Sequence, residues 1–164
     1  NLAVNVSARQ GSDDLVDDVI GALERNGLAP EVLTLELTES VLLQADRSTM
    51  TALRTLRAKG VKIAIDDFGT GYASLTYLAR LPVTAVKIDR SFTAGLPHDQ
   101  VSATIVLAVR GLARDLRLDC IVEGIETDEQ LLALPDGVFG QGYLLGRPMP
   151  AENLSELLAQ RSAR

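Results

Sequence analysis

The chain has one cysteine, one histidine, no tryptophan and only 4% aromatic residues among its 164 positions. Cys120 has no second cysteine to bridge to, which excludes an internal disulfide framework and fits a reducing, cytoplasmic compartment. His98, the only histidine, excludes a histidine-based zinc site. No apolar run approaches the ~20 residues of a membrane helix. No charged-then-apolar leader with a cleavage site opens the sequence, so no signal peptide is expected. The first residue is Asn1 rather than Met, which suggests a fragment or an excised domain. Basic residues are also scarce: 16 Lys and Arg face 22 Asp and Glu, for a net charge of -6. That balance supplies no basic face for nucleic acid, although a phosphorylated ligand remains open to an acidic protein if metal ions bring the positive charge.

What the chain does contain is a repeated alternation of short apolar runs with amphipathic stretches, in a length that suits one domain over 1–164. LAVNV at 2–6, LTLEL at 33–37, VKIAI at 61–65, TAVKI at 84–88, DCIVE at 119–123 and, more weakly, VFGQGY at 138–143 read as strands. Between them, Leu15, Val16, Val19, Ile20 and Leu23 share a helical face that Gly27 ends. Met50, Leu53 and Leu56 mark a second helix ending at Gly60, and a short helix is expected around 74–78. The longest helix is expected over about 100–116, with Val101, Ile105, Val109, Leu112 and Leu116 inward. Short helices over 129–134 and 151–160 complete the pattern. Strand–helix alternation with apolar strands predicts a parallel sheet buried on both faces. About six strands suit either an open doubly wound sheet or part of a barrel, so the count does not decide.

The chemistry lies where the strands end. The apolar runs lead into Asn5, Glu36, Asp66 and Asp67, Lys87, Glu123 and Gln141. In parallel α/β folds the carboxyl ends of the strands share one edge, which a barrel curls into a ring. Carboxylates gathered there repel unless cations sit among them, and Asp, Glu and Asn oxygens suit Mg²⁺ or Mn²⁺. Adjacent Asp66 and Asp67 could hold two ions close together, as a phosphoryl transfer requires, with Lys87 beside them to orient water or neutralise charge. Each residue also has a plainer use. Asp67 could be a turn residue, Asn5 a cap, and Glu123 and Lys87 a structural ion pair. Taken together, polar endings on about six strands favour a site.

NVSARQ at 5–10, ELTES at 36–40, DDFGTGYASL at 66–75, LPVTAVKIDRSF at 81–92, VEGIET at 122–127 and QGYLLGRPMP at 141–150 resemble the EAL family in order and spacing. The resemblance implies a TIM-like (β/α)8 barrel, present here as about its last six strands with their helices. It implies metal-dependent hydrolysis of cyclic di-GMP to linear pGpG, with Mg²⁺ or Mn²⁺ in a two-metal site. It makes Asn5, Glu36 and Asp66 ligands of one metal, with Asp66, Asp67 and Glu123 serving a second. It makes Lys87 the contact to the catalytic water, Gln141 a residue at the mouth of the site, Glu39 the anchor of the DDFGTGYASL loop, and Glu126 a supporting residue. It also implies a homodimer and fusion or coupling to sensory or GGDEF domains, with any membrane anchor elsewhere in the parent protein.

The chain departs from the family in three ways. The family places about two strands and two helices before NVS, with the Glu of its Glu-Ala-Leu motif on the second strand; the whole barrel takes ~250 residues. Thr84 stands where the family usually has Asp, and the stretch 134–140 is about two residues short. The alternatives to an active phosphodiesterase are therefore a catalytically inactive module that binds cyclic di-GMP, or a fragment inactive for want of the motif Glu. Open sheet edges further predict poor solubility for these 164 residues alone. Other features carry less. Gly69-Thr70-Gly71 lacks the lysine of a phosphate-binding loop. Cys120 reads as core, His98 as exposed, and Asp13, Asp14, Asp17 and Asp18 as a solvated helix start.

Overall fold

In the computed structural model, residues 1–7, 14–71 and 78–154 are described. Six strands, β1 (Leu2–Asn5), β2 (Leu33–Thr38), β3 (Lys62–Phe68), β4 (Ala85–Ile88), β5 (Asp119–Val122) and β6 (Phe139–Gly140), form one sheet in sequence order. Every pairing is parallel. The helices are α1 (Leu15–Arg25), α2 (Glu39–Gln44), α3 (Arg47–Ala58), α4 (Arg90–Thr93), α5 (Gln100–Asp115) and α6 (Asp128–Leu132). Neighbours in sequence are neighbours in space, and helices connect most of the strands. The sheet is thus a partial TIM-like barrel, with β1 and β6 unpaired to each other among the described residues.

The sequence makes these elements for local reasons. Thr38, Asp46, Asp89, Asp99 and Thr127 each accept a backbone N–H as N-caps of α2 to α6 in turn. Thr127 and Gln130 close a reciprocal capping box on α6. Gly27 and Gly60, both at positive φ, end the helical runs before β2 and β3.

Burial of both faces, which the apolar runs predict, holds in β4, where all four residues are buried, but not across the whole sheet. In β2 burial alternates: Leu33, Leu35 and Leu37 are buried, while Thr34, Glu36 and Thr38 between them are partly open. Ile63, Ile65, Val86, Ile88, Cys120 and Val122 continue the buried side into the helix-covered core. The other face is the concave one, where Ala3, Thr34, Glu36, Lys62, Ala85, Ile121, Phe139 and Gln141 line an open cleft. A barrel strand alternates between helix layer and lumen, so period two survives although the sheet is parallel.

Two further expectations change. LAVNV was read as a buried strand, yet all four residues of β1 are exposed, because it is an edge strand with a neighbour on one side only. In α5 Val109 lies in the core and Ile105, Leu112 and Leu116 pack against it, as expected, with Ser102, Val106 and Ala113 buried beside them; only Val101 of the predicted stripe turns outward, at 65% exposed. The helix expected around 74–78 and most of the one at 151–160 lie outside the described residues, as do Ala8, Arg9, Gln10 and Asp13. No helix among the described residues is long and apolar enough to cross a membrane.

Candidate active site

The polar strand endings do meet, and Lys87 is where they meet. Its Nζ lies 2.8 Å from Glu36 Oε2, 3.0 Å from Asp66 Oδ1 and 2.6 Å from Glu123 Oε1. These partners come from β2, β3 and the end of β5, and the lysine is only 2% exposed. Burial disfavours its charge, but the hydrogen bonds it donates to Glu123, Glu36 and Asp66 outweigh that and raise its pKa above the ordinary lysine value. The structural ion pair between Glu123 and Lys87 that the sequence allowed is therefore present, as one of three.

A bulge makes the carboxylate pair usable. Ile65 pairs with Val86 and Phe68 with Ile88, so β3 sets two residues, Asp66 and Asp67, against the single Lys87 of β4. Consecutive strand residues ordinarily face opposite sides of a sheet. Here Asp67 takes φ 55°, in the left-handed region. One oxygen from each of Asp66, Asp67 and Glu123 then falls within 4.8 Å of the others. Crowding shows in the protonation of the group. Burial, then repulsion from Asp66 and Asp89, raises the Asp67 pKa. Burial likewise raises that of Glu123, against the pull of the Lys87 hydrogen bond.

The remaining predicted residues surround this cluster. Asn5 closes β1 in register with Glu36. Gln141 donates its backbone N–H to Val122 O at 2.9 Å and accepts from Ile125 N at 3.1 Å. The short stretch before it therefore does not loosen the glutamine, which shares a cleft with Arg90, Glu123, Glu126 and Tyr143. Glu126 is exposed and is held through its backbone N–H, which donates to Gln130 Oε1 at 2.8 Å. Glu39, the first residue of α2, is buried, with its carboxylate packed against Gly71, where any Cβ would collide with it. The loop that the family resemblance ties to Glu39 lies against it at Gly71, and 72–75 lie outside the described residues. Thr84 stands apart from the cluster: its hydroxyl bonds the backbone N–H and C=O of Ile63 at 3.1 and 3.0 Å, at the opposite end of β4 from Ile88. The departure from the family at Thr84 therefore ties two strands together and leaves the carboxylates untouched.

Two neighbours escaped the sequence reading. Asp89 and Arg90 follow β4 directly and lie near enough to Asp67 for their charges to act on it. Asp89 also caps α4, accepting from Ser91 N at 3.0 Å. Their signal was position, since both follow a strand at its carboxyl end. Of the discounted residues, Cys120 is buried core and its thiol is pushed up to about 11 by burial. His98 is exposed, with Nε2 3.6 Å from Glu129.

A half-barrel of parallel strands with acidic side chains and one lysine at its carboxyl edge defines a class of α/β enzyme-like domains. The family model of the EAL domain matches residues 1–148, and the chain belongs to that family. It is 49% identical over 158 residues to the bifunctional diguanylate cyclase/cyclic di-GMP phosphodiesterase MucR of Pseudomonas aeruginosa, covering 94% of this chain and 23% of the relative. The chain thus spans about a quarter of that protein's length. A solved structure of the PaMucR phosphodiesterase in complex with c-di-GMP superposes with a TM-score of 0.86 at 50% identity, covering 94% of this chain and 64% of that one. The structure of Klebsiella pneumoniae BlrP1 with manganese and cyclic di-GMP superposes with a TM-score of 0.80 at 30% identity, covering 88% of this chain and 38% of that one.

Proposed function

We propose that the chain carries the catalytic edge of a metal-dependent phosphodiesterase that hydrolyses cyclic di-GMP to linear pGpG. The observation that carries this reading is the bulge at Asp66 and Asp67, which turns two consecutive carboxylates toward Glu123 and the ammonium of Lys87. The likeness to a phosphodiesterase solved with c-di-GMP supports the choice of substrate.

The donor set fits a hard divalent cation. Every candidate ligand is an oxygen, three of them lie within 4.8 Å, and among the described residues the carboxylate oxygens not held by Lys87 accept no side-chain hydrogen bond. Asp66, Asp67 and Glu123 would hold Mg²⁺ or Mn²⁺, with Asn5 and Glu36 completing the set; the manganese complex of BlrP1 supports that choice. A cation there supplies polarisation of a phosphoryl oxygen when bound. The chain's own residues do the rest. Lys87 holds its charge where negative charge grows on phosphorus, and an N–H freed when one of its three carboxylates turns to the cation would orient the attacking water. Glu123, whose pKa burial raises, takes up the proton that water releases. The water oxygen bonds to phosphorus as the bond from phosphorus to one ribose oxygen breaks; that oxygen takes a proton from solvent and becomes a hydroxyl, which opens the ring. Gln141 and Glu126 line the mouth of the cleft, and Glu39 steadies the loop at Gly71.

The test is to incubate the chain, and the longest form of the protein that carries it, with Mg²⁺ or Mn²⁺ and cyclic di-GMP. Formation of pGpG is expected; its absence with cation occupancy confirmed would remove the reading. The other outcome is binding of cyclic di-GMP without cleavage. Calorimetric binding without turnover in both forms would establish it.

A further inference from the structure

The three ion pairs of Lys87 have a consequence for cation binding. An ammonium has three N–H donors, and Lys87 places a carboxylate oxygen at hydrogen-bond distance for each: Glu36 at 2.8 Å, Asp66 at 3.0 Å and Glu123 at 2.6 Å. The side chain is 3% exposed and sits between strands on both sides, so the charge has no solvent route of retreat. Two of its partners, Asp66 and Glu123, belong to the trio whose oxygens lie within 4.8 Å of one another. A divalent cation at that trio must share carboxylates with a fixed positive charge.

We propose that Lys87 is the resident counter-ion of the cluster: it neutralises Glu36, Asp66 and Glu123 in the cation-free protein and, by its fixed charge, opposes the binding of a divalent cation to the same carboxylates. Asp67, which makes no ion pair with the lysine, is then the carboxylate at which the cation gains most. The proposal rests on reading the cluster as a cation site, and it adds a role for Lys87 that is separate from any contact with substrate or water.

The experiment is a Mn²⁺ titration of the cation-stripped protein, followed by the free-Mn²⁺ electron paramagnetic resonance signal, in wild type and Lys87→Met. Removing a unit charge ~5 Å from a divalent ion tightens its binding about tenfold even at the dielectric of bulk water, and by more in a partly buried site. Equal or weaker Mn²⁺ binding by the variant overturns the proposal. Binding by neither protein overturns the cation-site reading and this proposal with it. Mn²⁺ binding without hydrolysis by the wild type counts against the proposed reaction alone. Should Lys87→Met lose the circular dichroism of the folded chain, the wild type decides. The Lys87 ammonium resonance, protected in the cation-free protein, is expected to shift as Mg²⁺ saturates the site, and a resonance that stays in place overturns the proposal.

Discussion

On the convex face of the sheet Leu35, Ile65, Val86 and Val122 lie under the helices, none more than 2% exposed. On the concave face, one residue along each strand, Glu36, Asp66 and Lys87 stand with Glu123 in a web of ion pairs. The same strands serve both faces, so the fold separates the two duties by period two alone. The helix side gains from burial, and a polar group left there without a partner is costly. The concave side holds charges that would be costly one at a time and become acceptable only as a set. A substitution should therefore be felt as lost stability on one side and as lost chemistry on the other.

The largest expected effect tests the concave side. Asp66→Asn should lower pGpG formation about 10²-fold or more, the scale of removing one group from a preorganised electrostatic site. Its melting temperature should stay close to wild type, because Lys87 keeps Glu36 and Glu123. A collapse in stability with activity retained would break the contrast. Its counterpart is Ile63→Ala, fully buried on the helix side. That change should cost about 3 kcal/mol in denaturant unfolding, with cyclic di-GMP turnover per folded molecule preserved.

Gly124→Ala crosses the division. Gly124 has φ +72°, and a Cβ there would lie 2.5 Å from Arg90 Cβ, beside Glu123. It should lose about 1–3 kcal/mol by calorimetry and also slow turnover, since relief of the clash displaces the neighbouring Glu123. A smaller effect concerns pH. The folded-state pKa of Lys87 lies above its ordinary value of 10.5, so its stabilisation is complete below that value and is lost as pH rises through the folded one. The stability gap between wild type and Lys87→Met should therefore hold constant from about pH 7 to 9 in denaturant titrations. Smallest of all is the reactivity of Cys120. With its thiol pushed up to about 11, labelling by a disulfide reagent at neutral pH should proceed only as fast as the chain unfolds.

Much of this could be read from the letters. VKIAI, TAVKI and DCIVE were legible as strands because β-branched runs bounded by glycine or a turn have few other uses. Asn5, Glu36, Asp66, Asp67, Lys87 and Glu123 were legible as a set because each closes or follows such a run. The alternation hidden within LTLEL was harder to see, since Thr34 and Glu36 look like interruptions until a lumen is there to receive them. The exposure of β1 was invisible, because burial of a strand depends on both neighbours and the letters LAVN report neither. Asp89 and Arg90 carried no signal beyond their position, because an Asp that opens a helix after a strand is an ordinary cap.

The sequence by itself determined the order of the elements, the apolar face of the longer helices and the polar residues at the carboxyl ends of the strands, since period, capping and turn chemistry act within a few residues. Only the tertiary structure decided which of those residues touch. The bulge in β3 arises from pairing with β4, and it alone brings Asp67 to the same side as Asp66. The three ion pairs of Lys87 join residues up to 51 positions apart in the chain. Contacts of that range depend on register and sheet curvature, which are properties of strands packed together and are written in no single segment.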